Sequence, residues 1–146
     1  MPGIIAGMSL FHFYHPIEVR YGDLDPQGHV NNANYLTYIE QARVQYLVHL
    51  GLFEKGQSFL DVGVILADAH LTFKSSIQYG RSVRVGVRIA RLGNKSLAME
   101  YLIEDAKNTA ELATGSTVLV AYDYRTHQTV PIPEDWREKI KSFEGL

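Results

Sequence analysis

The stretch "YGDLDPQGHVNNANYLTYIEQAR" spans Tyr21 to Arg43 and joins two kinds of sequence. Its first part is an acidic turn with two Asp, a Pro and a Gly, followed by a His and three Asn. Its second part begins a long apolar segment with helical spacing. Pro and Gly punctuate turns, and Asn favours the first position before a helix. This loop carries more reactive side chains than a connector requires, so it is the candidate functional segment.

Apolar residues recur every three or four positions from about residue 32 to residue 50, which predicts one long helix. Gly51 is a suitable end for it. Two neighbouring stripes make most of the helix surface apolar, and we therefore expect the helix to be deeply buried. The first stripe is Leu36, Ile39, Arg43, Leu47 and Leu50, and the second is Tyr35, Tyr38, Ala42, Tyr46 and His49.

Most of the remaining sequence predicts β-strands, because apolar and polar residues alternate with a period of two. A second, short helix is expected after Pro133. One strand, one long helix and then a run of strands favour an α+β fold in which an antiparallel sheet wraps around the helix. We expect a single domain over residues 1–146. The predicted strands are residues 11–21, 62–75, 82–91, 97–104 and 110–124.

Composition excludes several classes of protein. The chain has 146 residues, a net charge of −2 and no cysteine, so neither a nucleic-acid interface nor a disulfide or thiolate site is expected. No Lys or Arg precedes Arg20, and no apolar run is long enough to cross a bilayer, which predicts a cytoplasmic protein without a membrane contact. His12 and His15 lie three apart on a predicted strand and would face opposite sides, so no metal site is expected.

The predicted architecture and the loop together resemble the hotdog fold, in particular the 4-hydroxybenzoyl-CoA thioesterase and acyl-CoA thioesterase family. The resemblance runs from about residue 14 to residue 135 and is strongest in "RYGDLDPQGHVNNANYLTYIEQAR". Two weaker parts are "LGNKS" at 92–96 and "VPIP" at 130–133. It implies hydrolysis of an acyl thioester without a cofactor, since CoA is part of the substrate. It also implies a homodimer at least, and a homotetramer as the expected assembly.

The resemblance assigns roles to residues of the loop. Asp25 matches the catalytic carboxylate, which acts either as nucleophile or as the base that activates water. The backbone amide of Asn32 would polarise the thioester carbonyl, and Gly28 would leave room for the substrate. Tyr21 matches a branch that uses Tyr, Asp and His, but Asn32 stands where its His would be. His29 matches the plant acyl-carrier-protein thioesterases, although Gln27 replaces their Asn.

Each of these residues also has a structural interpretation. Asp25 before Pro26 could initiate the turn by accepting from its own backbone, and His29 could bond a backbone carbonyl instead of acting as a base. Lys95 matches a basic position that contacts CoA phosphate in the family, but a solvated lysine fits this turn equally well. Arg81 is a second, weaker candidate for phosphate.

Two other functions compete with thioester hydrolysis. A hotdog hydratase or dehydratase pairs an Asp with a His, but its motif separates them by five positions and contains Asn-Pro. Asp25 and His29 are four apart with no Asn-Pro between them, which disfavours this alternative. A non-catalytic acyl-CoA-binding protein is the second alternative. The sequence leaves open which acyl group is released and whether CoA or acyl-carrier protein carries it.

Overall fold

Six strands, two α-helices and one short 3-10 helix make up residues 10–146, the part of the chain that the computed structural model describes. The prediction of location drawn from the absence of Lys and Arg before Arg20 rests partly on residues 1–9, which lie outside this range. The elements are β1 (Tyr14–Ile17), the 3-10 helix (Tyr21–Asp23), α1 (Asn32–His49), β2 (Gly63–Phe73), β3 (Val83–Leu92), β4 (Ser96–Asp105), β5 (Glu111–Asp123), β6 (Gln128–Thr129) and α2 (Glu134–Glu144).

All six strands belong to one antiparallel sheet, in the order β1-β3-β4-β5-β2, with β6 paired to β5. The long helix α1 packs against this sheet, and α2 follows the last strand. The α+β architecture predicted from the sequence is therefore confirmed. Among the described residues, neither helix is long and apolar enough to cross a bilayer.

The central helix α1 begins at the predicted residue and ends one residue earlier than predicted. Asn31 caps it, because the Asn31 side-chain oxygen accepts from the amide of Ala33 at 2.9 Å. Most of the two predicted stripes is buried, but Leu36 is 42 % exposed and His49 is exposed. The His49 ring nevertheless packs against Phe13 and Phe143.

Alternation along the central strands produces the core under α1. In β4 the four apolar residues at the predicted positions, from Leu97 to Ile103, are all buried. Gly115 in β5 lies in tight packing under α1, because a Cβ built there would lie 2.9 Å from Cδ2 of Leu71 and 3.1 Å from Cδ1 of Ile39. The absence of a side chain at this position lets the helix lie directly on the sheet.

Two details of the predicted strands are wrong. The first strand was expected over 11–21, but β1 ends at Ile17, which pairs with Val83. Val83 is the first residue of β3, so the residues after Ile17 have no residue of β3 to pair with. Residues 21–23 form the 3-10 helix instead. The second is β6, whose two residues are too few to produce a readable period.

Candidate functional site

The loop between the 3-10 helix and α1 folds into a tight turn around Asp25. The amide of Gly28 donates to the carbonyl of Asp25 at 3.0 Å, and the amide of Asp25 donates to the carbonyl of His29 at 2.9 Å. Gly28 has a φ of +85°, a conformation that other residues adopt only with strain. The predicted turn residues Asp25, Gly28 and His29 therefore lie together, directly before the helix.

The Asp25 carboxylate has one oxygen committed and one available. Its Oδ1 accepts from the amide of Gln27 at 2.9 Å, while its Oδ2 lies 3.6 Å from Nδ1 of His29. The side chain of Asp25 is only 16 % exposed and that of His29 is 32 % exposed. The Asp25–Gln27 bond is the turn-forming role considered above, but it leaves the second oxygen free to react.

Among the described residues, no short hydrogen bond fixes the ring of His29. Its Nδ1 lies 3.4 Å from the carbonyl oxygen of Val30 and 3.6 Å from Asp25. The backbone of His29 instead forms an isolated β-bridge with Gln78. This bridge attaches the loop to the segment before β3.

The N-terminus of α1 follows this turn directly and leaves one backbone amide, that of Asn32, without an acceptor among the described residues. Asn31 is the capping residue, and Asn32 is the first helical residue. Within residues 10–146 the Asn32 amide has no hydrogen-bond acceptor, as expected for the first turn of a helix. An 18-residue helix also places partial positive charge at this end, so a developing oxyanion would be stabilised here.

Asp23 is a buried carboxylate that holds the loop, and its partners were not predicted. It is 1 % exposed and accepts from the Arg20 guanidinium at 2.8 Å, from the Arg20 amide at 3.0 Å and from the Tyr38 hydroxyl at 2.8 Å. Burial alone would raise the pKa of Asp23, but these hydrogen bonds and the Arg20 charge outweigh it and leave the pKa below its usual value. Its carbonyl accepts from the amide of Asn31 and the side chain of Asn34.

Tyr21 and Arg81 lie near the turn but are engaged elsewhere. Tyr21 is 80 % exposed, and its ring packs edge-on against Tyr79 with centroids 6.2 Å apart. Arg81 Nε donates to Asp105 at 2.9 Å, and this bond, with the backbone amides that also reach Asp105, lowers the pKa of Asp105 to about 2. Arg81 is therefore neutralised by a stable carboxylate.

Lys95 lies at the opposite end of the sheet from Asp25. It immediately precedes β4, whereas Arg81 pairs with Asp105 at the other end of the same strand. Ten residues of strand span about 33 Å. The Lys95 ammonium donates to the Thr129 hydroxyl at 3.1 Å, so within one chain Lys95 and the Asp25 turn do not form a common site.

Two further features concern charged and metal-binding groups. The Glu40 carboxylate lies 3.8 Å from the buried Arg43 guanidinium and is itself 68 % exposed. Within the described range, no group of three or more His, Asp or Glu side chains is arranged to hold a metal ion.

Comparison with known proteins places these features in a family. The sequence profile of the Thioesterase-like superfamily matches residues 19–140. A crystal structure of a thioesterase from Thermus thermophilus, complexed with coenzyme A and Zn, superposes with a TM-score of 0.81 at 37 % identity, covering 95 % of this chain and 99 % of the other.

Two curated relatives carry substrate names. The chloroplastic acyl-acyl carrier protein thioesterase ATL3 of Arabidopsis thaliana is 29 % identical over 139 residues, which is 94 % of this chain and 71 % of the relative. The long-chain acyl-CoA thioesterase FadM of Escherichia coli is 22 % identical over 127 residues, or 87 % and 96 % of the two chains. The predicted resemblance to hotdog-fold thioesterases is thereby confirmed.

Proposed function

Since the chain belongs to the Thioesterase-like superfamily, we propose that it hydrolyses acyl-CoA thioesters at the turn before α1, with Asp25 as the reacting carboxylate. It is a thioester hydrolase of the hotdog fold, which the profile and the named relatives support. The observation that carries the residue assignment is the Oδ2 of Asp25, which the turn leaves without a hydrogen bond and which faces His29 at 3.6 Å, seven residues before the unpaired amide of Asn32.

The proposed reaction needs an activated oxygen nucleophile and a polarised carbonyl. The Asn32 amide donates to the thioester oxygen, and the helix dipole stabilises the negative charge that develops there. Asp25 either removes a proton from the water that attacks the carbonyl carbon, or attacks that carbon itself. In the second route a mixed anhydride forms, and water then hydrolyses it. In both routes a new C–O bond replaces the C–S bond, and the thiolate leaves and takes up a proton, for which His29 is the proposed donor.

The proposed reaction needs no separate cofactor, because CoA is part of the substrate and is the leaving group. No metal takes part in the proposed steps. Acyl-carrier protein is the second candidate for the thiol, since one relative is named for it. From the sequence we expect the reaction in the cytoplasm.

We further propose a homodimer joined through β2, with a tetramer as the higher assembly. One edge of this eleven-residue strand bonds to β5, and the other has no partner within residues 10–146. The strand contains no Lys or Pro, the residues that commonly protect such edges. Leu66 and Phe73 on it are 48 % and 46 % exposed, and Leu66 lies beside the exposed Leu36 of α1. A second chain paired here would cover these side chains.

A two-fold axis that pairs β2 with itself in antiparallel fashion would complete the site. The two copies of β2 then run in opposite directions, so the Phe73 end of β2 in one chain lies beside the Gly63 end of β2 in the other. Asp25 lies at the Phe73 end, because Tyr35 near the start of α1 contacts Phe73. Lys95 lies at the Gly63 end, because its carbonyl accepts from Ala121, which pairs beside that end. The partner's Lys95 would then reach CoA phosphate, with Arg81 as a weaker second contact.

The experiment that tests this function measures free thiol released from a panel of short, long and aromatic acyl-CoAs. We expect steady thiol release from at least one class. The hydratase alternative predicts loss of enoyl-CoA absorbance without thiol release. A binding protein would show saturable affinity for acyl-CoA and no turnover, and either of these results would overturn the proposal.

A further inference from the structure

One backbone carbonyl, that of Asp23, accepts two hydrogen bonds from the start of α1. The amide of Asn31 donates to it at 2.9 Å, and the side-chain amide of Asn34 donates to it at 2.9 Å as well. These two donors stand on either side of Asn32 in the sequence. The carbonyl therefore ties the first turn of α1, and with it the Asn32 amide, to the 3-10 helix.

Asn34 is an unfavourable residue for a helix interior, and capping does not explain its presence. Asn forms helices less readily than Ala, Leu or Glu, because its side chain competes for nearby backbone groups. The capping bond of α1 comes from Asn31, whose Oδ1 accepts from the amide of Ala33. The half-buried Asn34 side chain instead reaches back eleven residues to a carbonyl outside the helix. This long-range bond is what the amide group contributes at this position.

The direction of the Asn32 N–H depends on the groups that Asn34 holds. A peptide unit is planar and trans, so the Asn32 N–H and the Asn31 carbonyl point in opposite directions within one plane. That carbonyl accepts from the backbone amide of Asn34 at 2.9 Å. Asn34 thus holds this peptide plane through its backbone and the Asp23 carbonyl through its side chain. The two bonds together set the direction of the Asn32 N–H relative to the loop.

Asp23 is a firm anchor for this contact. It is 1 % exposed, and its carboxylate accepts from Arg20 and from the hydroxyl of Tyr38 in the second turn of α1. It also stands two residues before Asp25, whose own amide is bonded within the turn. The reacting carboxylate and the polarising amide of the proposed mechanism are therefore both held relative to Asp23.

We propose that Asn34 is a positioning residue for thioester hydrolysis, and that it aims the Asn32 amide through its bond to the Asp23 carbonyl. The proposal rests on the proposed thioesterase function. Donors stabilise an oxyanion when they lie about 2.7–3.1 Å from the place that the oxygen takes in the transition state. Without the Asn34 side chain, the bond from Asn31 and the cap remain. The helix still forms, but its first turn is free to shift against Asp25.

Asn34→Ala removes the donor without adding a charge, and Ala is the best helix former, so Tm should stay close to the native value. We expect kcat to fall roughly 10- to 100-fold, because a misplacement of about 1 Å costs up to about 10² in rate. KM should change less than about twofold, because the amide bond to the oxygen strengthens mainly in the transition state.

Asn34→Asp is the second variant. It keeps the size of the side chain and suits the positive end of a helix, but a carboxylate cannot donate to the Asp23 carbonyl. It should lose kcat at least as far as Asn34→Ala while keeping its Tm. If Asn34→Asp loses activity and Asn34→Ala keeps it, the added charge is responsible and the proposal is wrong.

Gln41→Ala is the matched control for both variants. Gln41 is exposed and lies on the same face of α1, two turns after Asn34. Its replacement removes a side-chain amide from the same helix and leaves the Asp23 carbonyl untouched, so kcat, KM and Tm should all stay native. A loss of kcat in Asn34→Ala that only follows a loss of Tm would give Asn34 a purely structural role and overturn the proposal.

The order parameter of the Asn32 N–H, measured by nitrogen relaxation in NMR, tests the position without an activity assay. A rigid backbone amide has an order parameter of about 0.85 and a flexible one less than about 0.6. We expect a rigid Asn32 amide in the native protein and in Gln41→Ala, and a clearly lower value in Asn34→Ala. If kcat falls in Asn34→Ala while this value stays native, the effect does not pass through the amide and the proposal is wrong.

Failure of the thioesterase function can be told apart from failure of this inference. If the native protein releases thiol from no acyl-CoA, the thioesterase proposal falls, and the order parameter alone reports whether Asn34 fixes the Asn32 amide. If the native protein hydrolyses acyl-CoA and Asn34→Ala keeps the native kcat, the function stands and the inference is overturned.

Discussion

Replacing Asp23 by Asn tests the distinction between the two carboxylates of the loop. The native carboxylate uses both oxygens: Oδ1 accepts from the Arg20 guanidinium, and Oδ2 accepts from the Arg20 amide and the Tyr38 hydroxyl. An amide side chain has one acceptor oxygen, and its NH₂ group must then face a donor. At least one of these contacts is lost whichever way the amide is turned.

The expected cost follows from the burial of the partners. The Arg20 side chain is 70 % exposed, so its ion pair contributes at most about 1 kcal/mol. The bonds from the Tyr38 hydroxyl and the Arg20 amide reach a buried carboxylate, and leaving such a donor unsatisfied costs about 1–3 kcal/mol. We expect Asp23→Asn to lower the free energy of unfolding by about 2–3 kcal/mol, which lowers Tm by roughly 6–10 °C in a chain of this size.

The acid limb of stability should change as well. Because the folded state lowers the pKa of Asp23, the unfolded chain binds a proton more readily, and the stabilisation is present above the unfolded value of about 3.9. It is lost as pH falls through the lower, folded pKa. Asp23→Asn should therefore unfold with a shallower dependence on pH below about pH 4.

Thermal unfolding followed by circular dichroism, from pH 3 to pH 7, measures both effects. Asp25→Asn is the matched control, because its amide oxygen can still accept from Gln27 and its Tm should change little. A Tm for Asp23→Asn within 1 °C of native would refute the reasoning. If Asp23→Asn keeps its Tm but loses more turnover than Asp25→Asn, then Asp23 is the reacting carboxylate and Asp25 the structural one.

Two other changes test the turn and the CoA contact. Gly28→Ala should lower the free energy of unfolding in urea by about 1–2 kcal/mol, because Gly28 has φ +85° although nothing lies within 4 Å of the added Cβ. Gly22→Ala is the control, since it also adds a Cβ in open space but without positive φ, and it should cost far less. Equal losses in the two variants would contradict this reasoning. Lys95→Ala should raise KM for acyl-CoA up to about fivefold at low salt with kcat unchanged, as for an exposed ion pair of about 1 kcal/mol; an unchanged KM would leave Lys95 as a solvated turn residue.

The sequence predicted what local signals determine. The limits of α1 follow from Asn31, whose cap is made within two residues, and from Gly51, which has φ +74°. The burial of alternate residues in β3 and β4 follows from a period that needs no knowledge of the partner strand. The end of β1 was mispredicted because it depends on where β3 begins, 66 residues later, and no pattern in residues 18–21 carries that information.

The sequence predicted which loop residues lie together in the turn, but it did not predict their contacts. Asp25, Gly28 and His29 are consecutive enough for the turn to bring them together. Tyr38 was assigned to an apolar stripe, yet its hydroxyl bonds Asp23 fifteen residues earlier, a contact that depends on how the loop folds back on α1.

The role of Asp25 is the central claim, and turnover of Asp25→Asn tests it most directly. Asn keeps the size of the side chain and the bond to the Gln27 amide, but it can neither attack a carbonyl nor take a proton from water. With thiol release as the assay, kcat should fall by roughly 10²–10⁴, while the affinity for a non-hydrolysable acyl-CoA thioether stays within a few-fold because the Asn32 amide remains in place. Near-native kcat in the variant would contradict the account and leave His29 as the group able to take a proton near neutral pH.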